Sequence, residues 1–379
     1  MLADGAGRAP FLRMGIPLMD IKAQYGPLRD RIDAALREVL DTGTFILGPQ
    51  VRALEGEVST RLGGRPCVGV ANGTDALVIA LQALDVGPGD EVVTSPYTFY
   101  ATAEAIARVG ATPVFADVDP ATGCLDPDRV AERITGDTKA LLPVHIFGQP
   151  ADMTPLLTLA AENGLVVIED AAQAFGAADG EWEVGTMGDA ATFSFFPTKN
   201  LPGMGDGGLV VCRDETLAER VRRLRFHGSK DKVVFDEVGY NSRLDEMQAA
   251  IVRIFLGEVD RWNDARRQAA AWYEEEGLGE FMDLPRERDG ARHVYHLYQA
   301  RHPERDRLRQ ALAADGVGSA VYYGIPLHLQ PVFSGLGYSQ GDLPVSEEHG
   351  TTALALPMHP NLTRDQVAQV VSSVRGALG

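Results

Sequence analysis

Residues 193–208 read FSFFPTKNLPGMGDGG. An aromatic, strand-like run leads into a lysine, and a glycine-rich turn follows. Lys199 stands between Phe193, Phe195, Phe196 and Pro197 on one side and Leu201 on the other. Lysine normally occupies a charged surface. Two readings stand here. The amine snorkels out of an apolar edge, or it is a buried, activated amine of the kind that forms a Schiff base. The window alone favours the first, so the surrounding chain has to decide.

Working outward, the same punctuation recurs. PCVGV (66–70), EVVTS (91–95), TPVFADV (112–118), KALLPV (139–144), LVVIED (165–170), ATFSFF (191–196) and GLVVC (208–212) are short apolar runs, mostly rich in Val and bounded by Gly, Asp or Pro. Strands buried on both faces read this way. Helical patterns lie between several of them. TDALVIALQAL sets Leu77, Ala80, Leu81 and Leu84 on one face. ATAEAIARVG (101–110) and DMTPLLTLAAENG (152–164) each end on a glycine suited to the residue after a helix. The alternation predicts an α/β domain with a seven-stranded, mostly parallel sheet flanked by helices. Ligands of such sheets sit at the carboxyl ends of the strands, so functional residues are expected just after them.

After about residue 250 the texture changes. LDEMQAAIVRIFLGEVDRWNDARRQAAAWYEEEG reads as a long helical stretch. Strands are expected at HVYHLYQARH and GSAVYY, separated by the helix RDRLRQALAADG. The expected division is an N-terminal arm over 1–25, a large α/β domain over 26–255 and a smaller α+β domain over 256–379.

Composition narrows the function classes. With 379 residues and 45% hydrophobic content, the chain can bury a large core and form more than one domain. The net charge is −18 and no polybasic run appears, so neither nucleic acid nor an anionic membrane surface is an expected partner. Cys67, Cys124 and Cys212 are far apart and odd in number, which suggests reduced thiols in the cytoplasm rather than a disulfide framework or a zinc site. No metal is expected. No apolar run reaches membrane-spanning length, and MLADGAGRAPFLR lacks the apolar stretch of a signal peptide. The pattern becomes regular at MGIPLMDIKAQY, which makes Met14 the expected start, preceded by a flexible tail.

The strand ends carry the chemistry. After CVGV, Gly73 and Thr74 open a helix near Asp75, where free N–H groups and a hydroxyl suit a phosphate. An ordinary N-cap by Thr74 explains the same residues. After LVVIE, Asp170 closes a very apolar strand. It reads as a helix cap, or as a counter-ion for a protonated ring nitrogen. Gln173 then binds the same ligand or serves in the first helical turn. Ser194 interrupts a run of phenylalanines and offers a hydroxyl to a phosphate or to the backbone. Phe99 and Tyr97 in SPYTFYAT are candidates for a ring stacked on a ligand, or for core packing. Together these pieces suit pyridoxal phosphate, which needs a lysine for its aldehyde, an acid at its ring nitrogen and a phosphate cup.

ANGTDALVIAL, GPGDEVVTSPYTFYAT, IEDAAQAFGA, FSFFPTKNLPGMGDGG and GYNSRLDEMQAA, in this order, resemble the DegT/DnrJ/EryC1/StrS sugar aminotransferases. These are fold-type I, pyridoxal-phosphate-dependent enzymes that usually act on nucleotide-linked keto sugars. The resemblance runs from GIPLMDIKAQY to LALPMHPNL. It implies Lys199 as the Schiff-base lysine and Asp170 as the partner of the ring nitrogen. Gln173 is implied at the ring hydroxyl, Gly73, Thr74 and Ser194 at the phosphate, and Phe99 on the ring face. Asn241 is implied at the phosphate of a neighbouring subunit's cofactor, hence a homodimer with shared sites. Arg243 is then a clamp for a carboxylate or a structural ion pair. Similar proteins that act as dehydratases carry a histidine in place of the lysine, and a regulatory binder would lack the lysine or the acid. The presence of Lys199 and Asp170 therefore favours transamination, with glutamate as the expected donor. AVYYGIPLHLQPVF (320–333) and LPMHPNL (356–362) resemble members that aminate C3 of a nucleotide sugar. Tyr322, Tyr323 and His328 are candidates for the sugar pocket or for packing. A 4-keto sugar or a keto-inositol stays open as acceptor.

Overall fold

The computed structural model describes residues 15–378. The expected start at Met14 and the tail before it lie outside the described residues. Seven strands form the central sheet: Cys67–Val70 (β1), Glu91–Thr94 (β2), Thr112–Phe115 (β3), Thr138–Leu142 (β4), Val166–Asp170 (β5), Ala190–Ser194 (β6) and Gly208–Cys212 (β7). Their spatial order is β1-β7-β6-β5-β4-β2-β3. β7 runs antiparallel to both its neighbours, and every other adjacent pair is parallel. The strands are buried on both faces, as their unbroken valine runs predict. Each fully buried Val or Ile contributes about 1.5–3 kcal/mol by leaving water.

Helices cover the sheet on two sides and divide the large domain's core into two apolar clusters. One joins the helix Gly73–Ala83 to β2, β4 and β5 through residues such as Leu77, Leu81, Val92 and Leu141. The other sets the helices Pro49–Arg61 and Glu246–Leu256 against β6 and β7 through Leu54, Val58, Phe193 and Val252. Gly110 and Gly164 take the left-handed backbone after the helices Ala101–Arg108 and Met153–Asn163, as their positions in the sequence suggest. No helix among the described residues is long and apolar enough to cross a membrane.

The long C-terminal helical stretch is broken. Glu246–Leu256 ends at Gly257, and a second helix runs Val259–Glu275. The second helix links two cores. Val259 and Trp262 pack in the large domain, whereas Ala269, Ala270 and Tyr273 pack in the C-terminal core with Leu308, Val367 and Val371. That smaller α+β unit holds the antiparallel pair Tyr298–Arg301 (β8) and Ala353–Leu356 (β9) beside the helices Arg305–Ala314 and Arg364–Leu378. Residues 16–18 of the N-terminal arm are bound to the same unit, while Met19 and Tyr25 pack against the large-domain clusters. Ile16 bridges Val317, and the Met358 N–H donates to the Leu18 carbonyl at 3.0 Å.

Two expected strands are shorter than their pattern. In HVYHLYQARH only Tyr298–Arg301 forms a strand. Tyr295 adopts a left-handed backbone at φ 42°, and the Val294 N–H is taken by the Gly148 carbonyl at 3.0 Å. In GSAVYY only Ala320 bridges, to Ala355. The Tyr322 carbonyl, free to pair in a strand, accepts instead from the Tyr97 hydroxyl at 2.8 Å and from the Gln299 amide.

Candidate active site

The carboxyl ends of β1, β4, β5 and β6 open on one cleft of about 450 Å³. Lys199, Asp170, Gln173, Ser194, Gly73 and Thr74 all line it. Sequence positions more than a hundred residues apart are thus brought together by the parallel sheet.

At the β1 edge, the helix Gly73–Ala83 starts earlier than expected. Its N-cap is Asn72, whose side chain accepts from the Asp75 N–H at 2.8 Å, so Thr74 is not the cap. The N–H groups of Gly73 and Thr74 lie at the first positions of the helix, where no intrahelical acceptor exists. A Cβ on residue 73 would come within 2.8 Å of the Ser194 Cβ. Glycine there lets the helix start close against Ser194 and forms an anion cradle of N–H and hydroxyl groups.

At the β5 end, Asp170 is 5% exposed. Its Oδ2 accepts from the Thr102 hydroxyl at 2.8 Å and its Oδ1 from the Ala172 N–H at 3.2 Å. Burial raises its pKa, opposed by those donors and by Lys199. Asp170 does not cap a helix; a turn follows it. Gln173 accepts from the Phe147 N–H at 2.8 Å and donates to the Tyr323 hydroxyl at 3.2 Å, so it too serves no helix start. Behind Asp170, the wholly buried Glu169 accepts from His145 Nε2 at 3.1 Å and from the N–H groups of Gly185, Met187 and Gly188, each at 2.8 Å. His145 Nδ1 accepts from the Ala151 N–H at 3.0 Å, which puts the imidazole proton on Nε2, facing Glu169. Burial alone would raise the Glu169 pKa, but these donors outweigh it and hold it low. The dyad anchors the strand end, because the His145 N–H also donates to the Asp170 carbonyl at 3.1 Å.

Lys199 follows β6 in a tight turn in which its N–H donates to the Phe196 carbonyl at 2.9 Å. Burial pushes its amine down to about 8, against the pull of Asp170. The amine is therefore far easier to deprotonate than a surface lysine. The snorkelling alternative fails, since this side chain lines the cleft beside Asp170.

A family model described as the DegT/DnrJ/EryC1/StrS aminotransferase family matches residues 27–375. The chain belongs to this family. It is thereby a fold-type I, pyridoxal-phosphate-dependent aminotransferase. It is 49% identical to a "Pleiotropic regulatory protein" of Geobacillus stearothermophilus, over 95% of this chain and 98% of that one. It is 47% identical to a UDP-N-acetyl-3-dehydro-alpha-D-glucosamine 3-aminotransferase of Acidithiobacillus ferrooxidans, over 96% of this chain and 98% of that one. Among solved structures, DesV of S. venezuelae in complex with a ketimine intermediate superposes with a TM-score of 0.93 at 43% identity, covering 96% of this chain and 99% of that one.

The cleft of this family member fits pyridoxal phosphate by its own chemistry. It presents one amine of lowered pKa, one buried carboxylate fixed by two donors, and an anion cradle at a helix start. Phe99, 53% exposed, borders the cleft with its ring 6.1 Å from that of Tyr323. Tyr97, the other ring candidate, is a core residue, 1% exposed. Tyr322 and Tyr323 line the cleft. His328 does not. It is buried against Glu347, 3.1 Å from Nε2, and its ring lies 6.0 Å from that of Tyr338.

Asn241 and Arg243 are also absent from the cleft lining. Asn241 is exposed and bridges Phe226. Arg243 lies 5.9 Å over the Phe226 ring, and among the described residues it makes no ion pair, so a salt bridge within RLDE is not formed. Thr102 and His296 are site residues the sequence did not single out. A larger groove of about 620 Å³ in the small domain, bordered by Arg267, Glu274 and Tyr295, lacks both the lysine and a buried acid.

Proposed function

We propose that this chain moves an amino group from glutamate to the C3 keto group of a nucleotide-linked sugar, with pyridoxal 5′-phosphate held at Lys199. The observation that carries the reading is the presence of Lys199 and Asp170 in one cleft beside the Gly73–Ser194 cradle. The relative named as a 3-aminotransferase of a UDP-linked 3-dehydro sugar supports C3 as the site.

The bound cofactor supplies an aldehyde carbon that takes up nitrogen and a ring that accepts electrons. Lys199 Nζ, with its lowered pKa, would take a proton from the α-carbon of the amino donor and deliver it to the carbon that was the cofactor's aldehyde. Asp170, fixed by Thr102 and Ala172, would be the acid that keeps the cofactor's ring nitrogen protonated. Gln173, pinned by the Phe147 N–H, orients the ring hydroxyl edge. Gly73, Thr74 and Ser194 bind the phosphate, and Phe99 keeps water from the ring face. Tyr322 and Tyr323 offer hydroxyl groups to the sugar.

The test is to add glutamate to the cofactor-loaded protein, follow its visible absorbance and 2-oxoglutarate release, and then offer 3-keto and 4-keto nucleotide sugars and a keto-inositol. The expected product carries its new amine at C3. Amination of the 4-keto sugar alone would refute the position. An absorbance that glutamate leaves unchanged would contradict amino-group transfer.

The functional unit is a homodimer, with Asn241 of each chain reaching the other chain's cofactor phosphate. Two observations support this. Asn241 is exposed outside its own cleft, and the loop before it exposes Val233, Val234, Phe235 and Val238 at 77%, 61%, 58% and 87%. Apolar side chains so displayed suit a partner surface. Mixing Lys199→Ala with Asn241→Asp chains should place both defects in one site and leave the other intact. Activity is expected to recover to about half the wild-type level per mixed dimer. No recovery despite proven subunit exchange would assign Asn241 to its own chain. The free, buried Cys67, Cys124 and Cys212 suit the reducing cytoplasm.

A further inference from the structure

The geometry points to Asn263 as a positioning residue for Lys199, acting through Asn200. Asn263 projects from the helix Val259–Glu275, is wholly buried and does not line the cleft. Its Oδ1 accepts from Asn200 Nδ2 at 2.7 Å, and its Nδ2 donates to the Phe175 carbonyl at 3.0 Å. Asn200 Nδ2 donates also to the Val294 carbonyl at 3.1 Å. The orientations are forced. Both backbone carbonyls only accept, so each Nδ2 must face one of them, and Asn263 Oδ1 is what remains to face Asn200.

This pair of amides ties three segments that carry site residues. Asn200 directly follows Lys199, Phe175 lies just beyond Gln173, and Val294 lies just before His296 in the cleft wall. The junction is closely packed. Residue 176 is a glycine at φ 83°, and a Cβ there would come within 2.7 Å of Asn263 Nδ2. The neighbours of Asn263 on its helix, Val259 and Trp262, belong to an apolar core that needs no amide for packing. A buried amide in such a place is costly unless each of its groups is paired. Here the pairing falls on the chain that carries the reactive amine. The same helix runs on into the small-domain core at Ala269 and Tyr273, so the seat of Lys199 is fixed to both cores.

The inference rests on Lys199 as the proton-transfer residue, and its test can fail separately. In cofactor-loaded Asn263→Ala, kcat should fall about 10- to 100-fold, because a displaced amine misses the reacting carbon. The KM for glutamate should stay unchanged. The isotope effect on kcat with α-deuterated glutamate should rise, and the midpoint of the pH titration of the visible absorbance should shift. Asn263→Asp, which keeps an acceptor toward Asn200, should recover part of kcat. A folded Asn263→Ala with wild-type kcat, isotope effect and midpoint overturns the proposal. So does a loss of activity that only tracks the folded fraction while isotope effect and midpoint stay put. If Asn263→Ala does not fold, the same measurements on Asn200→Ser decide. Cofactor attachment at another lysine would instead overturn the functional reading.

Discussion

Lys199→Ala is expected to lower turnover by about 10³-fold or more, since one change removes both the anchor of the cofactor and the amine that moves the proton. The fold should survive. Lys199 is held by its backbone, through the N–H bond to Phe196, and the neighbouring Asn200 keeps the segment in place. The half-buried amine of Lys199 makes no hydrogen bond or ion pair among the described residues that the change would break. Circular dichroism, and thermal unfolding of the two cofactor-free proteins, should therefore match while glutamate-driven 2-oxoglutarate release disappears. Turnover within tenfold of wild type would refute the role.

Asp170→Asn is the second large effect. The amide has the size of the acid and can still accept from Thr102, so the cleft keeps its shape. It carries no negative charge and cannot hold a proton on a facing ring nitrogen. A loss of about 10²–10³-fold in kcat is expected, the scale found when one preorganised electrostatic group is removed. Steady-state kinetics on the folded variant check it, and near-normal kcat would refute the assignment. The wild-type carboxylate is placed from behind the cleft and from its wall. Glu169 and His145 hold the strand end from behind, and Thr102 fixes Oδ2 from the helix Ala101–Arg108.

The sheet was legible because strands buried on both faces leave unbroken valine runs, and because several runs end on or lead into a residue that packing alone does not explain. Asp170, Ser194 and Lys199 are such residues. The start of the Gly73 helix was open to reading as well. Asn72 precedes Asp75 by the spacing of an N-cap and its N–H, though Thr74 beside it is an equally common capping type. Glu169, a second acid at the end of an apolar strand, is a sequence signal of the same kind as Asp170. Thr102, His296 and Asn263 gave no local signal. Each lies in an ordinary-looking stretch and gains its role only when distant chain arrives beside it. GSAVYY illustrates the converse. Its β-branched and aromatic pattern is that of a strand, yet Tyr97 and Gln299, far away in sequence, claim the Tyr322 carbonyl and turn the chain into the cleft. The shared histidine and tyrosine content of 320–333 likewise hides that Tyr322 and Tyr323 face the cleft while His328 packs against Glu347.

Whether Lys199 bears the cofactor is decided by borohydride reduction of the loaded protein followed by peptide mapping. A pyridoxyl group is expected on Lys199, in the peptide spanning 193–208. A pyridoxyl group on Lys139 or Lys230 instead, with Lys199 unmodified, would contradict it.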